Sequence, residues 1–185
     1  MVVDLQLEQT HINNLVIAQG APYIDDRGVF QRVFCAGVFE YILDGRNVAQ
    51  VNHSFNKDKG TLRGMHFQRR PYSEQKFVRC IRGSIYDVVV DLRKGSPTFM
   101  QSHAEVLSAE NHRMICIPEG FAHGFQTLED NSEILYFHTS FYVPKSESGF
   151  RYDDPKLNIS WPLPVNQISE RDQSFNVVKD TFTGI

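Results

Sequence analysis

The chain has 185 residues, of which 41% are hydrophobic and 22% charged. This is the balance of a single soluble globular domain over residues 1–185, long enough to bury a sizeable core. A net charge of −3 gives no whole-chain argument for a nucleic-acid partner. No stretch reaches the roughly 18 apolar residues of a membrane span.

In chain order, Met1–Gln6 has no basic region and no long apolar run, so no secretion signal is expected. Residues 36–43 pattern as a short helix. Alternating apolar runs then predict strands at 48–55, 62–67, 76–82, 84–92, 103–107, 113–117, 124–127 and 133–141. Turn chemistry separates them at Asp44-Gly45, Lys59-Gly60, Gly95-Ser96-Pro97, Pro118-Glu119-Gly120 and Asp130-Asn131. Arg82-Gly83-Ser84 reads as a tight hairpin. Residues 153–167, which hold the lone Trp161, read as an ordered meander over the domain, and a helical turn is expected near Ser169. Many short strands at roughly 8–12-residue spacing predict an all-β sandwich or barrel with few short peripheral helices. Cys35, Cys80 and Cys116 lack any metal or redox spacing and read as free thiols of a reducing cytoplasm.

Gly60–Gln68 carries the first candidate chemistry. Arg63 offers a planar, permanently charged contact for a phosphate oxygen. His66 offers an imidazole, the side-chain type best suited to proton transfer at physiological pH. On a regular strand their spacing puts them on opposite faces, so one cavity holds both only if the strand is bulged near Gly64. By itself His66 also fits a core histidine bonded to a carbonyl.

The run Ile117-Pro118-Glu119-Gly120-Phe121-Ala122-His123-Gly124-Phe125 resembles the second motif of the cupin superfamily, whose turn delivers a histidine into a barrel mouth. The matching first segment, His66-Phe67-Gln68, has glutamine where metal-binding cupins place a second histidine. A metal would need His66, His123 and a distant ligand such as His138 or Glu133, so no metal is expected. In residues 133–142 alternation sets Leu135, Phe137 and Thr139 on one face and Tyr136, His138 and Ser140 on the other. Tyr136 fits a general acid facing a cavity, or a core aromatic with its hydroxyl bonded.

Taken together, Asp26-Arg27-Gly28-Val29-Phe30, Thr61–Gln68, the Lys76–Gly83 run, the Tyr86–Arg93 run with Ser96-Pro97-Thr98, the Ile117–Phe125 run, Asp153-Asp154-Pro155 and the Ile168–Asp172 run resemble the dTDP-4-dehydrorhamnose 3,5-epimerase family, in order and at compatible spacing. The resemblance implies a metal-free, cofactor-free, cupin-like jelly roll, a homodimer with strands exchanged at its interface, and a cytoplasmic enzyme of deoxysugar biosynthesis. Its substrate would be a nucleotide-diphosphate 4-keto-6-deoxyhexose, inverted at C3, C5 or both. His66 matches the base, Asp172 the carboxylate behind it, Tyr136 the acid on the other face and Lys76 the cation beside the ketone oxygen. Arg63 and His123 match pyrophosphate contacts. Arg27, Phe30, Gln50, Asn52, Tyr142, Glu147 and Arg171 fall among the other substrate-binding positions. The absence of a Gly-rich dinucleotide loop agrees with chemistry that needs no redox cofactor.

The chain departs from that pattern at Arg32, another substrate-binding position, where a glutamate usually follows. A carboxylate suits the N3–H of thymine, whereas arginine has only donors and suits an acceptor such as cytosine N3. A CDP-linked substrate is therefore a competing expectation, beside the plainer one that Arg32 turns away or meets a phosphate. Phe137 and Tyr152 also differ from the residues common at their positions, which bears on whether one carbon or two is inverted.

Overall fold

Two antiparallel sheets make the molecule, and the alternation of each strand says which face it buries. The computed structural model describes residues 5–185. The first sheet has six strands: β1 (Leu5–Gln9), β2 (Val16–Gly20), β10 (Arg113–Ile117), β7 (Lys76–Arg82), β12 (Ser132–His138) and β5 (Gln50–Asn56), in that spatial order. The second has five: β13 (Glu147–Gly149), β6 (Leu62–Gln68), β11 (Phe121–Thr127), β8 (Ser84–Asp91) and β9 (Ser102–Ser108). A small hairpin, β3 (Tyr23–Asp25) with β4 (Gly28–Phe30), stands apart. Helices α1 (Glu40–Leu43) and α2 (Glu170–Ser174) are each little more than one turn. Among the described residues no helix is long and apolar enough to cross a membrane.

The inner faces meet in one core. Ile17, Val78, Ile115 and Ile134 come from the six-stranded sheet, and Ile85, Val89, Leu107, Phe121 and Phe125 from the five-stranded one. The alternate residues are buried too, because the outer faces are covered. Met65, Phe67, Val88 and Val90 lie under Phe150, Leu157 and Val178 of the C-terminal meander, with Trp161 packed alongside. Phe77, Met114 and Cys116 lie under Phe39 and Leu43 around α1. β8 and β11 are accordingly buried along almost their whole length, because both of their faces are dry.

The predicted strands are present with ends shifted by a few residues. Strands β1 to β4 and β13 are additions to the expectation. β1 is an edge strand with four of its five residues exposed, so it carries no buried alternation to read. The turn at Gly83 is a correction. Its φ of +68° suits a tight turn, but β7 and β8 enter different sheets and do not form a hairpin. Local turn chemistry reports a reversal, not which neighbour each strand finds. The meander is tied down by Gln126 Nε2 donating to the Leu163 carbonyl at 2.9 Å and by Trp161 Nε1 donating to the Tyr152 carbonyl at 2.9 Å.

Inner-face parity continues to one end of the sandwich and changes character there. Lys76 shares its face with Val78 and Cys80, Gln50 and Asn52 share theirs with Ser54, and His123 shares its with Phe121 and Phe125. The core therefore opens into a polar pocket without any change of fold.

Phe77 is fully buried and packs against Phe34 and Phe39 at ring-centroid distances of 5.8 and 5.1 Å. Phe77→Ala is expected to cost about 3–5 kcal/mol in urea unfolding. Tyr41→Ala, at a side chain that is 72% exposed, is expected to stay within about ±0.5 kcal/mol. Equal losses would contradict the covered outer face.

Candidate active site

A bulge in β6 builds the pocket. His66 lies opposite His123 and Arg63 opposite Phe125, so three steps along β6 match two along β11. The extra residue falls at Gly64–Met65 and resets the alternation. Arg63 and His66, three apart, consequently line the same pocket, and Met65 turns outward into the covered outer core. Gly64 takes φ +138°, and a Cβ there would sit 2.5 Å from the Cα of Gly124. Only glycine meets both demands.

The bulge is stitched to the far end of the chain. Ser169 caps α2 by accepting the Asp172 N–H at 3.1 Å. Asp172, 2% exposed, then accepts the Gly64 N–H through Oδ2 at 3.1 Å and His66 Nε2 through Oδ1 at 2.8 Å. Burial opposes the charge of this carboxylate. The hydrogen bond and charge of His66, with the Gly64 and Ser169 contacts, outweigh burial and hold its pKa down at about 2. His66 Nε2 lies 2.8 Å from Asp172 Oδ1 and 3.2 Å from Arg171 Nη2. The carboxylate is the closer partner and can only accept, so it draws the ring proton to Nε2 and leaves the lone pair on Nδ1, where no hydrogen bond engages it among the described residues. Phe175 packs edge-on to the ring at 5.8 Å.

The acid candidate comes from the opposite sheet. Tyr136 of β12 faces the pocket, with its hydroxyl 3.2 Å from Ser54 Oγ. Burial pushes that hydroxyl far above the ordinary tyrosine value, so it keeps its proton. Lys76 Nζ lies 3.3 Å from Glu74, and both side chains are nearly buried. His123 gives Nε2 to Asp87 at 2.8 Å, with both buried; burial lowers the imidazole and raises the carboxyl, so the pair carries its charge reluctantly.

Arg63 holds Asn56 Oδ1 through Nε at 2.8 Å and has no carboxylate partner among the described residues. Its terminal nitrogens therefore remain available to an anion. Arg171 spans Glu147 at 2.8 Å and Asp172 at 3.2 Å, and Tyr142 donates to Glu147 at 2.8 Å. Gln50 and Asn52 complete the wall of a cavity of about 290 Å³.

Three sequence candidates lie elsewhere. Arg27 and Phe30 sit on the β3–β4 hairpin in a separate shallow groove, where Arg27 pairs with Asp25 at 2.6 Å. Arg32 is exposed and makes no hydrogen bond or ion pair among the described residues. The pocket also holds groups that sequence reasoning passed over, Ser54 and Glu74, and Asp87 lies fully buried behind its His123. Asp87 had a readable signal, a carboxylate inside Tyr86-Asp87-Val88-Val89-Val90. Ser54 had one in the Gln50-x-Asn52-x-Ser54 alternation. As for metal ligands, no three His, Cys, Asp or Glu side chains converge among the described residues. His138 turns Nδ1 to Glu74 at 3.0 Å, and Glu133 pairs on the outer face with His53 and Arg82.

The family model described as dTDP-4-dehydrorhamnose 3,5-epimerase matches residues 9–180. The chain belongs to that family. The dTDP-4-dehydrorhamnose 3,5-epimerase of Shigella flexneri is 43% identical over 166 residues, covering 89% of this chain and 91% of that protein. The crystal structure of the Bacillus anthracis dTDP-4-dehydrorhamnose 3,5-epimerase with TDP and PPi bound superposes with a TM-score of 0.91 at 35% identity, over 95% of this chain and all of that one. A Legionella pneumophila dTDP-6-deoxy-D-glucose-3,5-epimerase in complex with dTDP-4-keto-L-rhamnose gives 0.89 at 39% identity, over 94% and 93%. The sandwich is thus the cupin-like jelly roll of these epimerases, and the chain is an isomerase of the racemase and epimerase class.

The Asp172 contacts make a stability prediction. Its folded pKa lies below the ordinary 3.8. The stabilisation is therefore present above pH ~4 and lost as pH falls towards ~2, and the drop from 3.8 to about 2 amounts to roughly 2 kcal/mol. Urea unfolding of the parent and Asp172→Asn should show a stability gap that narrows by about that amount between pH 4 and pH 2. A gap independent of pH would contradict the assignment.

Proposed function

We propose that this epimerase inverts a dTDP-linked 4-keto-6-deoxyhexose at the carbons flanking its ketone, with His66 as base and Tyr136 as acid. The observation that carries this reading is that the free imidazole nitrogen and the protonated phenol come from facing sheets into one pocket. Inversion next to a ketone needs a proton removed from one side and another returned from the opposite side. His66 Nδ1 takes the first, and Asp172 stabilises the imidazolium that forms. Charge moves to the ketone oxygen, where the Lys76 ammonium stabilises the enolate by about 3 kcal/mol. Tyr136 then gives its proton to the carbon, and Ser54 steadies the phenolic oxygen. The pyrophosphate takes the open guanidinium of Arg63 and meets His123, whose buried partner Asp87 supports a second ring proton when the anion arrives.

The same reading makes the active unit a dimer. The hairpin with Arg27 and Phe30 borders no part of the His66 pocket, and it exposes Ile24, Val29 and Phe30. β5 is the edge of its sheet, with Val51 and Phe55 half exposed on its outer side, a row open to another strand. A second copy would bring Arg27, Phe30 and Arg32 to the pocket. Mixing His66→Asn with Arg27→Ala protein, each inactive, should then restore turnover through hybrid dimers with one intact site. No recovery after subunit exchange would overturn it.

The chemistry is tested by proton NMR in D₂O with dTDP-4-keto-6-deoxyglucose. Deuterium is expected at both flanking carbons, with His66→Asn slower by about 10²–10⁴-fold. Full exchange in His66→Asn would sink the mechanism, and deuterium at a single carbon would make the enzyme a monoepimerase. The CDP reading rests on Arg32, whose donors suit cytosine. Faster turnover of the CDP sugar, reversed by Arg32→Glu, would favour it; an unchanged dTDP preference in Arg32→Glu would end it.

A further inference from the structure

One wall of the pocket holds a hydrogen-bonded chain that the proposed mechanism leaves unused. It starts at Glu74, whose nearly buried carboxylate meets Lys76 at 3.3 Å and His138 Nδ1 at 3.0 Å, and also accepts from Gln68 Nε2 at 3.2 Å. His138 Nε2 lies 3.4 Å from Asn52 Nδ2. Asn52 Oδ1 accepts from Gln50 Nε2 at 3.1 Å, and Gln50 Oε1 accepts the backbone N–H of Tyr142 at 3.1 Å.

The two ends of this chain allow only one polarity. A backbone N–H can only donate, so the Gln50 oxygen faces Tyr142 and its amide nitrogen faces Asn52. The Asn52 nitrogen then faces His138, which needs a bare Nε2 to accept. The ring proton therefore sits on Nδ1, where a carboxylate, which can only accept, receives it. Every link agrees with the next. The second N–H of each amide is left for the pocket, so the wall offers donors to an oxygen acceptor of the ligand.

We propose that Glu74 and His138 are positioning residues that fix the tautomer of His138 and, through it, the amide orientation of Asn52 and Gln50, so that the pocket selects a ligand presenting hydroxyl, carbonyl or phosphate oxygens at that wall. The inference rests on the epimerase reading for its substrate. Neither residue touches the reacting carbons in this assignment. Their effect falls on binding, and Tyr136, stacked beside His138 at 6.1 Å, keeps its own contact with Ser54.

The test has an arm independent of activity. ¹⁵N NMR of the imidazoles in the ligand-free parent at neutral pH should show His138 protonated at Nδ1 and bare at Nε2; a proton on Nε2 overturns the proposal. In kinetics with the dTDP-4-keto sugar, His138→Leu removes the acceptor and should raise KM about five- to tenfold with kcat within about twofold. His138→Gln can give its N–H to Glu74 and its carbonyl to Asn52, and should keep KM within about twofold of the parent. Equal KM values for the two variants, or a fall in kcat alone, overturn the proposal. Should His138→Leu fail to fold, His138→Met makes the same comparison. A parent that does not turn over the sugar counts against the epimerase reading, and the tautomer measurement still decides the relay.

Discussion

The close approach of Gly64 to Gly124 is the constraint on which the site depends. Two strands pass where a single Cβ would collide with backbone, and the strand that gives way gains a residue. That residue turns Arg63 and His66 from opposite faces to one pocket. The amide freed at the bulge is then claimed by Asp172, whose other oxygen holds His66. Backbone geometry, the charge of the carboxylate and the tautomer of His66 are one linked arrangement. A change at any of the three is felt by the others.

Around this point the sandwich divides the chemistry between its sheets. The five-stranded sheet supplies the imidazole, and the six-stranded sheet supplies the phenol and the ammonium. Such a division suits a reaction that needs access to both sides of one carbon, since a single sheet presents only one surface. Burial also suits the phenol, because a dry setting keeps it neutral. The same dryness at His123 and Asp87 disfavours charge on both partners of that pair.

Much of the framework was readable because buried faces impose alternation. The strands between residues 50 and 138 follow their apolar periods, whereas β13, three residues long, is too short to show one. β1 did not, since an edge strand with one buried residue has no period to show. The Gly83 turn was misread for a different reason: φ is local, but sheet partners are chosen by the whole topology. In the site, alternation alone separated Arg63 from His66, and Gly64 was the sole hint of how they could meet. Ser54 was legible in its alternation with Gln50 and Asn52, though not its contact with Tyr136, whereas Glu74 was hidden because its importance lies in what it touches, at Lys76 and His138. The likeness to known epimerases supplied roles, but not these partners.

The tie between Gly64 and Asp172 spans 108 positions of the chain. Synthesis delivers the bulge and its histidine long before the carboxylate that steadies them. Among the described residues every strand except β13 ends by residue 138, so all strands but one are made while His66 still lacks its counter-charge. The carboxylate beside His66 is thus set in place only when α2 docks, and a chain stopped before residue 172 leaves both the bulge amide and the imidazole without it.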